Sequence, residues 1–116
     1  MEKEYYIKIT DQVRTLIAEV GTCTVPPLLA QKRLELTTLS SNLSEALDEI
    51  LAFKGTKLEE WRTETGSVAG AKSKWGACKE GQQEVWLRGW LNRIKNTNSS
   101  IKTRLDIYRD QNFNQF

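Results

Sequence analysis

Leu29, Leu36, Leu43 and Ile50 recur at intervals of seven, and Leu87, Ile94, Ile101 and Tyr108 repeat that interval in the C-terminal half. Seven residues is close to two turns of α-helix, so each set marks one stripe along a long helix. Leu39, Ala46 and Phe53 fill the three-residue offset from the first stripe, as in a coiled coil. Beyond Ile50 the apolar set drifts to Leu47, Leu51, Leu58 and Trp61, which moves the seam around the helix. Two stripes of similar length separated by a Gly-containing break bury each other when the chain folds back on itself. The pattern predicts an all-α protein: a long antiparallel helical hairpin, coiled-coil-like, with a short N-terminal helix packed on it.

The same pattern sets the expected boundaries. Val13, Leu16, Ile17 and Val20 give a short helix over about 10–20, with Thr10 or Asp11 as N-cap and Gly21 as its stop. Ahead of it, Tyr5, Ile7 and Ile9 alternate with Tyr6 and Lys8; with no second strand pattern to pair with, they lead into the helix. Thr22 to Pro27 reads as an extended connector, because a residue before proline is pushed out of the helical region. A long helix follows over about 27–62, roughly 54 Å at about 1.5 Å per residue. Residues 63–67 form the turn, with Ser67 as a candidate N-cap. Gly70, Gly76 and Gly81 predict a broken helix over about 68–110, kinked between Gly76 and Gly81. Asn96 to Ser100 are poor helix formers that packing must hold, Asn98 takes a seam position between Leu91 and Leu105, and 111–116 is a tail.

Length and composition narrow the class. A chain of 116 residues, 39% hydrophobic and 28% charged, has the balance of one small folded domain rather than a disordered segment. No apolar run is long enough to cross a bilayer, and Met1-Glu2-Lys3-Glu4 lacks the layout of a signal peptide, so a cytoplasmic location is expected. Cys23 and Cys78 fall far apart along the hairpin and are expected as free thiols. The chain has no histidine, and its two cysteines are not in Cys-x-x-Cys spacing, so no metal site, cofactor or histidine-based catalysis is expected. Glu45, Asp48, Glu49, Glu59 and Glu60 read as solvated helix faces, and the protein is not expected to be an enzyme.

The net charge of +2 hides a division: residues 1–66 carry 8 Lys/Arg against 11 Asp/Glu, and residues 67–116 carry 9 against 4. Lys72, Lys74, Lys79, Arg88, Arg93, Lys95, Lys102, Arg104 and Arg109 form the basic set. It has two readings. One is a phosphate-binding face, of which Lys72, Lys74, Lys79, Arg88, Arg93 and Lys95 are the candidates; the other is attraction between a basic and an acidic helix. The tryptophans divide similarly. Trp61 and Trp75 flank the turn, where they can close the hairpin end, and Trp90 lies one turn from Leu87 and Ile94. Trp86 falls off the main stripe and, with Trp90 and Arg93, builds an aromatic and cationic edge. Such an edge has three readings: packing against the short N-terminal helix, a protein interface, where tryptophan and arginine are enriched at hot spots, or stacking on bases by the same pair. Trp86, Trp90 and Arg93, together with Val13, Leu16 and Ile17 of the first helix, are therefore the candidate interface. The apolar surface left over when one hairpin has closed, Val13, Leu16 and Ile17, Trp86 and the drifting Leu47, Leu51 and Leu58, predicts a homo-oligomer, most simply a dimer.

The run Leu58-Glu-Glu-Trp-Arg, then Gly66-Ser-Val-Ala-Gly-Ala-Lys72, Ala77-Cys-Lys-Glu-Gly81, Leu87, Leu91, Ile94 and Ser100-Ile-Lys-Thr-Arg-Leu105 resembles small helical-hairpin accessory proteins of tailed bacteriophages and prophages. The resemblance covers roughly residues 28 to 110 and is one of layout. It implies a viral interaction protein of the host cytosol that binds a host or phage protein machine, to recruit it, inhibit it or block a defence system. The alternative from a different class is a nucleic-acid or nucleotide binder using the basic C-terminal helix with Trp86.

Overall fold

The computed structural model describes the backbone over residues 3–114 and side chains over residues 7–111. Among the described residues there are four helices and no strand: α1 (Lys3–Thr22), α2 (Pro26–Thr65), α3 (Val68–Ala77) and α4 (Lys79–Asn114). The long helices α2 and α4 pack against each other, and α1 packs on them. Their directions follow from polar contacts. Arg104 of α4 is bonded to Cys23, just ahead of α2, whereas Asn98 of α4 is bonded to Thr37 within α2. Partner numbers fall along α4 as they rise along α2, which is the antiparallel hairpin that the two stripes predict.

Contacts gather into two compact units, Met1–Leu43 with Trp90–Phe116, and Ser44–Gly89. In the first, Ile9, Val13 and Val20 of α1 meet a core of Leu29, Leu36 and Leu43 from α2 and Trp90, Ile94 and Ile101 from α4. In the second, Ala46, Leu47 and Ile50 of α2, Ala71 and Trp75 of α3 and Leu87 of α4 are buried. Six of the eight seven-residue positions, Leu29, Leu36, Leu43, Leu87, Ile94 and Ile101, are at most 2% exposed, each such side chain contributing about 1.5–3 kcal/mol of burial, whereas Ile50 is 7% exposed and Tyr108 half-buried. Two members of the expected leftover surface belong to the core: Val13 and Leu47 are buried, because α1 and the drifting part of α2 both turn inward.

Helix α1 is longer than its apolar spacing predicts. Thr10 and Asp11 lie inside it rather than capping it, and the buried Thr10 hydroxyl donates to the Ile7 carbonyl at 3.0 Å. At its far end the helix passes Gly21 and closes at Thr22. Arg104 of α4 caps that end: Nη1 donates to the Val20 carbonyl at 2.8 Å and Nη2 to the Cys23 carbonyl. A guanidinium suits this place because the last carbonyls of a helix lack intrahelical donors and carry partial negative charge. Lys32 of α2 bonds Glu19 of α1, and that bond holds the Lys32 ammonium above its ordinary pKa of 10.5.

Pro26 and Pro27 open α2, where the missing N–H groups have no partner to lose, and the Val25 carbonyl accepts from Leu28 and Leu29. The turn is two residues long. Gly66 takes a left-handed φ of 75°, which a Cβ would strain, and Ser67 caps α3 by accepting from the Gly70 N–H at 2.9 Å. The predicted kink is a one-residue break at Cys78. Its thiol donates to the Trp75 carbonyl at 3.1 Å, and its sulfur accepts from the Gly81 N–H at 3.3 Å, so one residue ends α3 and starts α4. The helices meet so closely that a Cβ on Gly81 would lie 1.7 Å from the Trp75 carbonyl oxygen. Asn96 to Ser100 stay helical between the buried Ile94 and Ile101. The tail expected over 111–116 is instead helical as far as Asn114, the end of α4, and residues 115–116 lie outside the described residues.

The surroundings of two glycines predict opposite effects of adding a methyl group. Gly81→Ala must displace backbone, and it is expected to lower stability by about 3 kcal/mol. Gly55→Ala fills open space within α2 and is expected to stabilise by about 0.5–1 kcal/mol, both read by urea melts. Asn98 donates to Thr37 Oγ1 at 3.2 Å, but its Oδ1 is buried without a partner. Removing an unsatisfied acceptor from a seam gains packing, so Asn98→Leu is expected to raise the melting temperature by an amount equivalent to about 1 kcal/mol. A lower melting temperature would show that the amide does more for the seam than its one bond indicates.

Candidate functional site

The expected edge of Trp86, Trp90 and Arg93 is divided by burial. Trp90 is 6% exposed and belongs to the core, because α1 lies against it; Trp86 is 40% exposed and its neighbour Val85 72%. Val13 is buried outright, so its side chain is not open to a partner, while Trp90 keeps only the edge that lines a groove. Leu16 and Ile17 are half-buried and line two different grooves. Leu16 sits with Leu39 in a groove between α1 and α2 whose rim is Lys8, Asp11, Gln12, Thr15, Glu35 and Thr38.

Ile17 faces the other groove, between α1 and α4, which has a volume of about 330 Å³. Its walls are Arg14 and Ile17 from α1 and Trp90, Arg93, Asn96 and Thr97 from α4. Arg93, Asn96 and Thr97 are three and four residues apart and therefore share a helix face. Both guanidiniums lie against the Trp90 ring, the Arg93 carbon 4.7 Å and the Arg14 carbon 5.3 Å from its centroid. Cations at these distances are attracted by the ring's π electrons, and the contact restricts them to few orientations. Arg14 also pairs with Asp11 at 3.5 Å, with both side chains more than half exposed. Arg93 forms no ion pair within 4 Å among the described residues.

The other basic candidates are dispersed. Lys74 is held between Glu64, at 3.4 Å, and the Trp61 ring, and Arg88 Nε bonds Glu84 at 2.8 Å. Lys72, Lys79 and Lys95 are exposed, on α3, at the start of α4 and beyond Ile94 respectively. Attraction between an acidic α2 and a basic α4 does not describe what joins those helices at Glu84 either. There the cation, Lys54, comes from α2 and the carboxylate from α4.

Glu84 is the group that sequence reasoning missed. It is a buried carboxylate whose Oε1 accepts from Trp75 Nε1 at 2.8 Å and Lys54 Nζ at 2.9 Å, while Oε2 accepts from Arg88. Burial works to raise its pKa; the bonds from Arg88, Lys54 and Trp75 outweigh burial and hold it at about 2. Trp75 in turn packs against Trp61, as expected of the pair flanking the turn, with centroids 6.5 Å apart, and against Phe53 at 6.2 Å. The available signal was an acid in a basic segment one turn ahead of Arg88. Cys23 and Cys78 are free thiols. No group of three or more residues that could hold a metal ion occurs among the described residues, and no described helix is long and apolar enough to cross a membrane.

Comparison of the chain with protein-family models, with curated proteins and with solved structures returned no match.

The Glu84 network gives stability a defined pH dependence. Its carboxyl has a lower pKa folded than unfolded, so its contribution is fully present above about 4.5 and is lost as pH falls toward about 2. With Arg88 half exposed, the contribution is about 2 kcal/mol. Glu84→Gln is expected to remove that acid limb from a stability–pH profile and to lower stability at pH 7 by about 2 kcal/mol, measured by chemical denaturation. A profile unchanged between pH 5 and 2.5 would show that Glu84 is not held as a carboxylate.

Proposed function

We propose that this protein acts without catalysis, as an interaction protein that binds a protein partner through the Val85–Trp86 surface of α4. The observation that carries this reading is the exposure of those two large apolar side chains on a helix whose neighbours Leu87 and Trp90 are buried. Apolar surface that the fold leaves in water is the raw material of a protein interface, and tryptophan is the residue type that most often dominates one. The resemblance to phage accessory proteins supports a host or phage machine as the partner, bound to recruit it, to inhibit it or to block a defence system. A homo-oligomer, most simply a dimer, is part of the reading: Leu34, 70% exposed, and Ile107, 50% exposed, are further apolar surface, while Val13 and Leu47 no longer contribute to it.

Nucleic-acid binding by the basic helix is the weaker reading. Steep salt-dependent binding requires several cations free to meet successive phosphates. Lys74, Arg88 and Arg104 are engaged by Glu64, Glu84 and the end of α1.

The test pairs Trp86 with a core residue. Trp86→Ala is expected to weaken partner binding by at least about 2 kcal/mol with little change in melting temperature. Ile94, 2% exposed, is the control: Ile94→Ala is expected to lower stability by about 2–5 kcal/mol. A Trp86→Ala protein that melts as early as Ile94→Ala would remove Trp86 from the interface. Light scattering over a concentration series reads the oligomer, and a monomer mass throughout would remove the dimer.

A further inference from the structure

The groove between α1 and α4 is built almost wholly from hydrogen-bond donors around an apolar floor. Arg14 and Arg93 supply guanidiniums, Asn96 an amide and Thr97 a hydroxyl, while Ile17 and the buried Trp90 supply the floor, and no carboxylate lines it among the described residues. Because both guanidinium carbons lie against one ring, they are within about 10 Å of each other, a span that one or two acidic side chains can bridge. Contact with the ring reduces what each arginine loses on binding, since a planar fork already aligned surrenders little further freedom.

We propose that this groove is the docking site for an acidic segment of a partner protein, with a carboxylate side chain received between Arg14 and Arg93. The proposal rests on the interaction-protein reading and names the chemistry of the partner. Charge complementarity selects the occupant: the groove has two cations, and the one ion pair that either makes among the described residues is Arg14 with Asp11, across 3.5 Å and in solvent. An exposed pair of that kind contributes little, so Arg14 can exchange Asp11 for a partner's carboxylate at small cost. A volume of about 330 Å³ takes a few side chains of a peptide. It does not supply the row of cations that a nucleic-acid backbone needs, because Arg88 and Arg104 are bound within the fold.

The probe is a short oligoglutamate peptide, acetylated and amidated so that only its side chains carry charge, titrated into the full chain by calorimetry and by NMR of the arginine Nε–H and indole N–H groups. Saturable binding is expected to shift the Arg93 and Trp90 signals. Arg14→Gln and Arg93→Gln are each expected to weaken it at least about tenfold. Lys102→Gln, an exposed cation of the same helix outside the groove, is expected to leave affinity within about twofold. Arg93→Lys keeps the charge and loses the fork, so it reads the site even where the glutamine variants melt early; weakening by about threefold or more is expected. Equal losses in all the variants would show diffuse charge attraction and overturn the groove, as would no saturable binding at millimolar peptide. Tighter binding of an oligothymidylate, lost in the same two arginine variants, would overturn the acidic segment in favour of phosphates. Partner capture that depends on Trp86 without any peptide binding would overturn the groove alone and leave the interaction reading standing. Peptide binding lost in Arg93→Gln, in a chain that captures no protein, would support the groove and count against that reading.

Discussion

Burial of the Glu84 carboxylate is the constraint around which one of the two units is arranged. A charge withdrawn from water costs several kcal/mol unless donors surround it, and here the donors come from three helices: Lys54 of α2, Trp75 of α3 and Arg88 of α4 itself. For Trp75 to present its indole N–H, α3 has to return against the start of α4. That return is what brings the Trp75 carbonyl to where only a glycine fits, at Gly81, and what makes Cys78 serve both helix ends. The stack of Phe53, Trp75 and Trp61 then follows, with Lys54, Lys57 and Lys74 against its rings. Hydrophobic burial supplies most of the energy of this unit, and the carboxylate ties its three helices together through directional bonds.

In the other unit arginine does comparable work with the backbone and with a ring. Arg104 bonds two carbonyls at and beyond the end of α1, so the first helix is tied to the last by a side chain rather than by apolar contact alone. Arg14 and Arg93 lie against Trp90, which is buried partly by the guanidiniums that touch it. A net charge of +2 therefore says little about the surface offered to a ligand. Several cations that a charge count would assign to binding are internal components of the fold.

The fold was legible because its main signal is periodic. Leu29, Leu36 and Leu43 face one seam whatever their partner is, and the partner stripe in α4 carries the same interval, so pairing and direction follow from two local patterns. Ser67 was legible for a similar reason, since a cap acts within three residues of itself. The start of α1 was not: Thr10 has the chemistry of a cap, and only the packing of Ile9 and Val13 carries the helix past it. The groove was half legible. Arg93 and Trp90 are neighbours on one helix, but Arg14 lies on another, and no local rule brings residues so distant in sequence to the same ring. Glu84 was hidden for the same reason, as its three partners are nine, thirty and four residues away.

The distribution of committed and uncommitted groups is the firmest guide to how the molecule acts. Where a cation meets a carboxylate or a carbonyl, as Arg88 and Arg104 do, its charge is already balanced, and a ligand would have to displace a bond that holds helices together. Among the described residues Arg93 makes no ion pair and lies against a ring, which attracts a cation without neutralising it. An anion arriving there gains a charge-assisted bond and breaks none. Val85 and Trp86 stand in the same relation to apolar contact, being large, on a helix held in place from beneath by Leu87, and still substantially in water. Helix α4 thus presents an arginine that makes no ion pair among the described residues and, at Val85 and Trp86, partly exposed apolar surface. A protein surface can supply acidic and apolar side chains together, and this combination separates it from a bare polyanion, which can satisfy only the first.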